Sequence, residues 1–118
     1  MDTISTRYQQ ALNTLTKKGE AFGIIQKTIN NIEYKLYENA PTNLTQVYNE
    51  AKAHGDKEFL IYEGERWTFE NFLTQSNQLA HALVNKHGVT KGDRVGIAMR
   101  NFPEWMSAFT AITRVGAV

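Results

Sequence analysis

The chain has 118 residues, 42% of them hydrophobic, which is enough for one domain with a real core and excludes global disorder. A net charge of +1 excludes the one-sided basic excess of nucleic-acid modules. The lack of cysteine excludes disulfides and thiolate metal sites and fits a reducing cytoplasm. No apolar run approaches the ~20 residues of a membrane span, and residues 1–20 are amphipathic rather than signal-like.

The first segment, residues 1–18, predicts an amphipathic helix. Asp2 or Thr3 can cap it, and Ile4, Tyr8, Ala11, Leu12 and Leu15 recur at helical spacing. Lys17 and Lys18 are expected in its last turn, with Gly19 closing it in the left-handed conformation. Its polar face is mostly Gln, Asn and Thr, which argues for packing on its own domain over a membrane surface, where any association would be peripheral. A hairpin extension is expected over residues 19–42. Ile24, Ile25 and Ile29 lead to Asn30-Asn31, two residues that tolerate positive φ. Ile32, Tyr34 and Leu36 then alternate with polar neighbours as in a half-buried strand, and Pro41 ends the ladder.

A third segment runs from residue 43 to 118. Asn43 and Gln46 predict a capping box for a helix with an apolar stripe of Leu44, Val47, Tyr48 and Ala51. Phe59–Tyr62 reads as a strand, Glu63-Gly64-Glu65 as a turn, and Arg66-Trp67 as the return. Thr68 caps the next helix, whose buried face is expected at Phe72, Ser76, Leu79, Ala80 and Leu83, and Gly88 stops it. After the turn Lys91-Gly92-Asp93, a strand is expected over Arg94–Met99. Asn101 with Glu104 predicts a capping box for a last helix, with Pro103 in its first turn and Trp105, Met106, Phe109, Ile112 and Gly116 along one face. The fold class is α/β. A strand–helix unit of this kind leads to a second, parallel strand, expected to begin at Gly116-Ala117-Val118. An apolar ending there predicts a fold cut short, with exposed apolar surface and a tendency to self-associate.

The residues assemble no catalytic motif. No GxSxG elbow or HExxH pair is present, and His54, His81 and His87 lack metal-ligand spacing. Glu63, Glu65 and Glu70 surround a turn and read as solvated. Gly92-Asp93-Arg94-Val95-Gly96 precedes and enters the expected strand, whereas a phosphate loop must follow a strand and open a helix. The turn Arg100–Pro103 lacks glycine, and Arg100 is its one strong cation. Trp67 and Trp105 read as core aromatics.

From Asn43 onward the sequence resembles the adenylate-forming superfamily of acyl-CoA synthetases, nonribosomal adenylation domains and luciferases. The pieces appear in family order. Gly64-Glu65-Arg66-Trp67-Thr68-Phe69 resembles the family's hairpin, and Asn77-Gln78-Leu79-Ala80-His81-Ala82-Leu83 its following helix. Gly88-Val89-Thr90-Lys91-Gly92-Asp93-Arg94-Val95-Gly96-Ile97 is similar to the glycine–aspartate turn and strand. Asn101-Phe102-Pro103-Glu104-Trp105, Ala108-Phe109 and Gly116-Ala117-Val118 resemble the next helix and its exit. Arg100–Trp105 and the upstream block from Gly19 to Leu44 resemble the fatty-acyl-CoA ligase branch.

The resemblance implies the N-terminal part of the large domain of a longer ATP-dependent enzyme, the fragment itself being inactive. A carboxylic acid attacks the α-phosphate of ATP to give an acyl-adenylate and pyrophosphate, and coenzyme A then displaces AMP. ATP, Mg²⁺ and CoA serve that parent enzyme, a medium- or long-chain fatty acid is its substrate, and the remainder of its own chain is the partner of this segment. The family's catalytic motifs lie further along, so no catalytic, cofactor-binding or metal residue is assigned here, and Asp93 and Asn101 are given structural roles as turn and cap. Two other readings stay open: an adenylation domain that loads an amino or aryl acid onto a carrier protein, and a stand-alone interaction module.

Overall fold

The architecture follows from local signals that the chain obeys in order. A computed structural model describes residues 3–118. These fall into two units, Met1–Pro41 and Thr42–Val118.

In the first unit, α1 spans Ile4–Leu15 and Thr3 caps it, its hydroxyl accepting the Thr6 N–H. The alternative cap, Asp2, lies outside the described residues. Lys17 and Lys18 are not in the last turn of α1. The Thr16 N–H and hydroxyl both donate to Leu12 O, at 2.9 and 2.8 Å, and the helix closes before the lysines. Gly19 follows at φ +88°, and its N–H donates to a Glu38 carboxylate oxygen at 2.8 Å.

Strands β1 (Ile24–Ile29) and β2 (Ile32–Tyr37) pair antiparallel. Asn30 and Asn31 turn between them at φ +50° and +64°, the two left-handed residues of a type I′ turn. The expected half-buried alternation is not seen. Ile32 and Tyr34 are exposed, and the partly covered pair is Ile25 opposite Leu36. Alternation sets which residues share a face of the hairpin; burial also needs a second layer against that face.

In the second unit, α2 (Leu44–Ala51) starts at Asn43, whose Oδ1 accepts the Gln46 N–H at 2.9 Å. The Gln46 side chain returns one residue further than a capping box requires, to the Thr42 N–H. A short 3-10 turn, Lys52–His54, leads through Gly55 at φ +53° to β3 (Glu58–Tyr62), which pairs antiparallel with β4 (Glu65–Thr68) around Glu63 at φ +51°. Helix α3 (Phe69–His87) is capped by Thr68 and ended by left-handed Gly88. It buries Phe72, Leu73, Ser76 and Ala80, whereas Leu79 stays exposed.

The last helix, α4 (Pro103–Arg114), is capped by Phe102 and not by Asn101. Proline at the first helical position fixes the cap at the residue before it, and that residue must be extended; Phe102 sits at φ −88°, ψ 164°. Glu104 then falls one position short of the place a capping-box glutamate needs. Helix α4 packs against α3, burying Ser107, Thr110, Ala111 and Ile112. Small side chains let two backbones approach closely, so Ser76 and Ala111, both fully buried, suit that contact; of the expected stripe Ile112 is buried, while Trp105 and Phe109 stay partly exposed.

Helix α2 is tied to α4 by a directed pair of bonds. The Thr113 hydroxyl donates to Phe109 O at 2.8 Å, so the Tyr48 hydroxyl, 2.8 Å away, is the donor into Thr113 Oγ1. Tyr48 is otherwise a member of the core with Phe72 and Leu73. Tyr48→Phe is expected to cost about 1 kcal/mol in a chemical denaturation curve, with an unchanged slope. A loss under about 0.3 kcal/mol would show that the bond does not contribute.

The segment Arg94–Met99 forms no regular strand. A strand needs a ladder partner, and here a single residue lies alongside. Val118 N–H donates to Asp93 O at 2.8 Å, and Val95 N–H donates to Val118 O at 2.9 Å. The two bonds straddle Arg94 in the pattern of a parallel bridge, the orientation expected of a strand–helix–strand unit.

Candidate functional site

Two features of the second unit are built well enough to be examined as sites. The first is an apolar cleft of about 440 Å³. Leu44, Val47 and Ala51 of α2 form one wall and Met106 and Phe109 of α4 the other. Its floor is a run of tilted rings: His54 on Phe69, Phe69 on Phe59, and Phe59 on Phe72, with centroids 4.5 to 4.6 Å apart. Such spacing is favourable for offset aromatic rings and rigidifies the floor. The cleft can shelter an apolar group from water. Its polar lining is sparse: Tyr48, whose hydroxyl donates to Thr113 Oγ1, Glu50, Thr110, and His54, which stacks on Phe69. The aromatic residues were legible in the sequence; their convergence with α2 and α4 was not, because it depends on contacts distant in the chain.

The second feature is the turn after α3. Asp93 accepts the Thr90 N–H at 2.7 Å and the Thr90 hydroxyl at 3.0 Å. The backbone bond first, and then the hydroxyl, hold the Asp93 carboxyl below its ordinary value. These bonds close the turn over Thr90–Asp93. A carboxylate whose pKa is lowered by folding contributes stability above its unfolded value, and that contribution disappears as pH falls through the folded value. Thermal stability is thus expected to fall as pH drops below about 4, with part of this dependence removed in Asp93→Asn. Identical acid limbs for the two proteins would contradict the bond's role. Gly92 N–H donates to Gly116 O at 2.8 Å, joining the turn to the exit of α4.

The remaining candidates are scattered. His81 lies exposed on α3, and His87 in its last turn. Glu63 sits in the β3–β4 turn, Glu65 accepts the Trp67 indole N–H at 3.2 Å, and Glu70 occupies the first turn of α3. Trp67 packs against the core; Trp105 stacks on Phe109 with planes 6° apart. The Arg100 guanidinium lies 5.9 Å from the Phe102 ring centre. No group of three or more His, Asp or Glu side chains could hold a metal ion among the described residues.

A family model described as AMP-binding enzyme matches residues 47–118, more than half of the chain. The chain belongs to the AMP-binding enzyme family. The resemblance to adenylate-forming acyl-CoA synthetases is thereby borne out. Curated relatives agree. The acetyl-coenzyme A synthetase of Sinorhizobium medicae is 39% identical over 95 residues, covering 74% of this chain and 14% of that protein. The long-chain fatty acid transport protein 6 of Mus musculus is 33% identical over 85 residues, covering 72% and 14%. The acyl-CoA ligase sidI of Beauveria bassiana is 40% identical over 67 residues, covering 55% and 12%. Among solved structures, the N-terminal subdomain of Klebsiella oxytoca NpsA superposes with a TM-score of 0.60 at 26% identity, over 64% of this chain and 20% of that one. The mixed helix–strand fold is thus that of an N-terminal subdomain of the AMP-binding family. The chain spans about one seventh of the first two relatives.

The start of α4 is a poor place for a phosphate. A phosphate site at a helix start needs free N–H groups. At the start of α4, Pro103 has none, and the N–H groups of Phe102 and Trp105 are already donated, to Arg100 O and Phe102 O.

Proposed function

We propose that this chain is the scaffold of the N-terminal subdomain of an acid–thiol ligase that joins a medium- or long-chain fatty acid to coenzyme A at the expense of ATP, releasing AMP and pyrophosphate. The observation that carries the reading is the family match over residues 47–118. Relatives named acetyl-coenzyme A synthetase, acyl-CoA ligase and long-chain fatty acid transport protein support a carboxylic acid as substrate. The fatty-acid preference rests on the resemblance of Arg100–Trp105 and of the hairpin block to that branch.

On this reading residues 19–42 are an extension, residues 43–118 open the nucleotide-binding domain, and residues 1–18 precede both. The chain supplies no catalytic, cofactor-binding or metal residue. It shapes the sheet and helices on which the reacting groups of the whole enzyme are carried, and the remainder of that enzyme, in the cytoplasm, is its partner. The lack of cysteine suits such a reducing compartment.

The test is ATP–pyrophosphate exchange by the whole protein, offered acetate, a C8 to C16 fatty acid series, aryl acids and amino acids. Exchange is expected with fatty acids, followed by acyl-CoA formation when CoA is added. Exchange with amino or aryl acids alone would move the protein to the carrier-loading class. No exchange with any acid would remove the ligase reading and favour an interaction module.

A further inference from the structure

Three backbone bonds fasten the exit of α4 to the turn that follows α3. Gly92 N–H donates to Gly116 O, Val118 N–H to Asp93 O and Val95 N–H to Val118 O, at 2.8, 2.8 and 2.9 Å. The Lys91 stem lies over Gly116, with Cγ 3.0 Å from the place a Cβ would occupy. Val118 itself is 78% exposed, so hydrogen bonds more than packing hold it. A small contact of this kind opens at a lower free energy than a helical core.

The shape of the fastening depends on one side chain. Gly92 sits at φ +91°, and a glycine gives up more conformational freedom than any other residue when it is fixed. Across the turn the backbone supplies one bond, from Asp93 N–H to Thr90 O at 3.2 Å. The shorter bonds converge on Asp93 Oδ2, which accepts the Thr90 N–H and the Thr90 hydroxyl. An ionised carboxylate accepts more strongly than a neutral group. Closing Thr90 onto Asp93 fixes the Gly92 N–H and the Asp93 carbonyl, the two groups that meet Gly116 and Val118. Helix α4 meanwhile closes itself, because Gly116 N–H donates to Thr113 O and Ala117 N–H to Ile112 O. It therefore stays wound when the fastening opens.

We propose that Asp93 is the positioning residue of a latch. Its carboxylate holds the Thr90–Asp93 turn in the shape that grips Gly116–Val118, and the latch opens as a unit while α3 and α4 stay folded. It sets the place at which the chain leaves α4, whether or not the ligase reading stands.

The test is amide hydrogen exchange of the ¹⁵N-labelled 118-residue chain, read at Gly92, Val95 and Val118 and at Leu73, Ser76 and Ala80 of α3. The first three are expected to share one opening free energy, below that of the α3 amides. Asp93→Ala is expected to speed all three by about tenfold, as for the loss of a hydrogen bond to a charged group. Asp93→Asn keeps an acceptor of the same shape and is expected to restore part of the protection. Thr90→Val removes the hydroxyl bond alone and provides a milder variant, with a smaller acceleration at the same three amides. Tyr48→Phe separates the latch from overall stability. It weakens the α2–α4 tie, so it is expected to speed the α3 amides and leave the latch amides unmoved. Latch amides that follow α3 in Tyr48→Phe, that ignore both Asp93→Ala and Thr90→Val, or of which Gly92 alone responds, would overturn the proposal.

Discussion

Replacing Phe72 by alanine is expected to destabilise the second unit by about 3–5 kcal/mol, the ordinary cost of deleting a buried ring. Phe72 is 3% exposed and sits where the core cluster meets the aromatic floor of the cleft. Its loss removes the ring from Phe59 and opens the cleft downward, between α2 and α4. Water entering from the cleft would relieve part of the cavity cost, which places the expected value at the lower end of that range. Phe109→Ala is the control. Phe109 lines the same cleft but is 36% exposed, and its removal is expected to cost about 1 kcal/mol or less. Urea denaturation of the two variants decides the matter. Equal losses would mean that the ring run is not the core of the unit.

Gly116→Ala is expected to destabilise the second unit by about 2–3 kcal/mol. Two causes add. Gly116 sits at φ +81°, where a Cβ is strained, and that Cβ would stand 3.0 Å from Lys91 Cγ and 3.3 Å from Lys91 Cβ. The causes can be separated. In a Gly116→Ala background, Lys91→Ala removes the first clash and leaves the second and the φ strain. It is therefore expected to recover about 0.5–1 kcal/mol and no more. Full recovery would show that the backbone at this position is relaxed; no recovery would show that Lys91 already moves aside. Since the Gly116 carbonyl also receives the Gly92 N–H, the variant tests whether the glycine–aspartate turn is held from α4.

What was legible in the sequence was what a few neighbouring residues decide among themselves. Asn30-Asn31 made the turn, Thr68 had a helix to cap, and Gly88 ended it, because each depends on backbone and side-chain groups within a turn's reach. The family match over residues 47–118 follows the same ordered pieces that the resemblance used. The misplaced features have equally local causes. Asn101 is a good capping residue, but Pro103 had already fixed the cap at Phe102. Lys17 and Lys18 favour a helix end, but the Thr16 bonds to Leu12 closed α1 first. Features that need distant partners stayed hidden. The alternation in β2 could not reveal that Ile32 and Tyr34 lack a covering layer, and the apolar residues of Arg94–Met99 could not reveal that one residue alone pairs there. The cleft was invisible for the same reason, drawing on helices many residues apart.

The bridge between Val118 and the Asp93–Val95 backbone also bears on the order of events during folding. The β3–β4 ladder joins residues a few positions apart and closes cheaply, whereas the Val118 bonds join points separated by all of α4. A flexible connector of that length would oppose closure; a formed helix delivers its far end to one place. These bonds are therefore among the last to be secured, after α4 has wound and docked on α3. Kinetic analysis of Gly116→Ala, which disturbs the exit of α4 that carries Val118 to the bridge, should find faster unfolding with an unaltered refolding rate; slowed refolding would put the bridge in the nucleus instead.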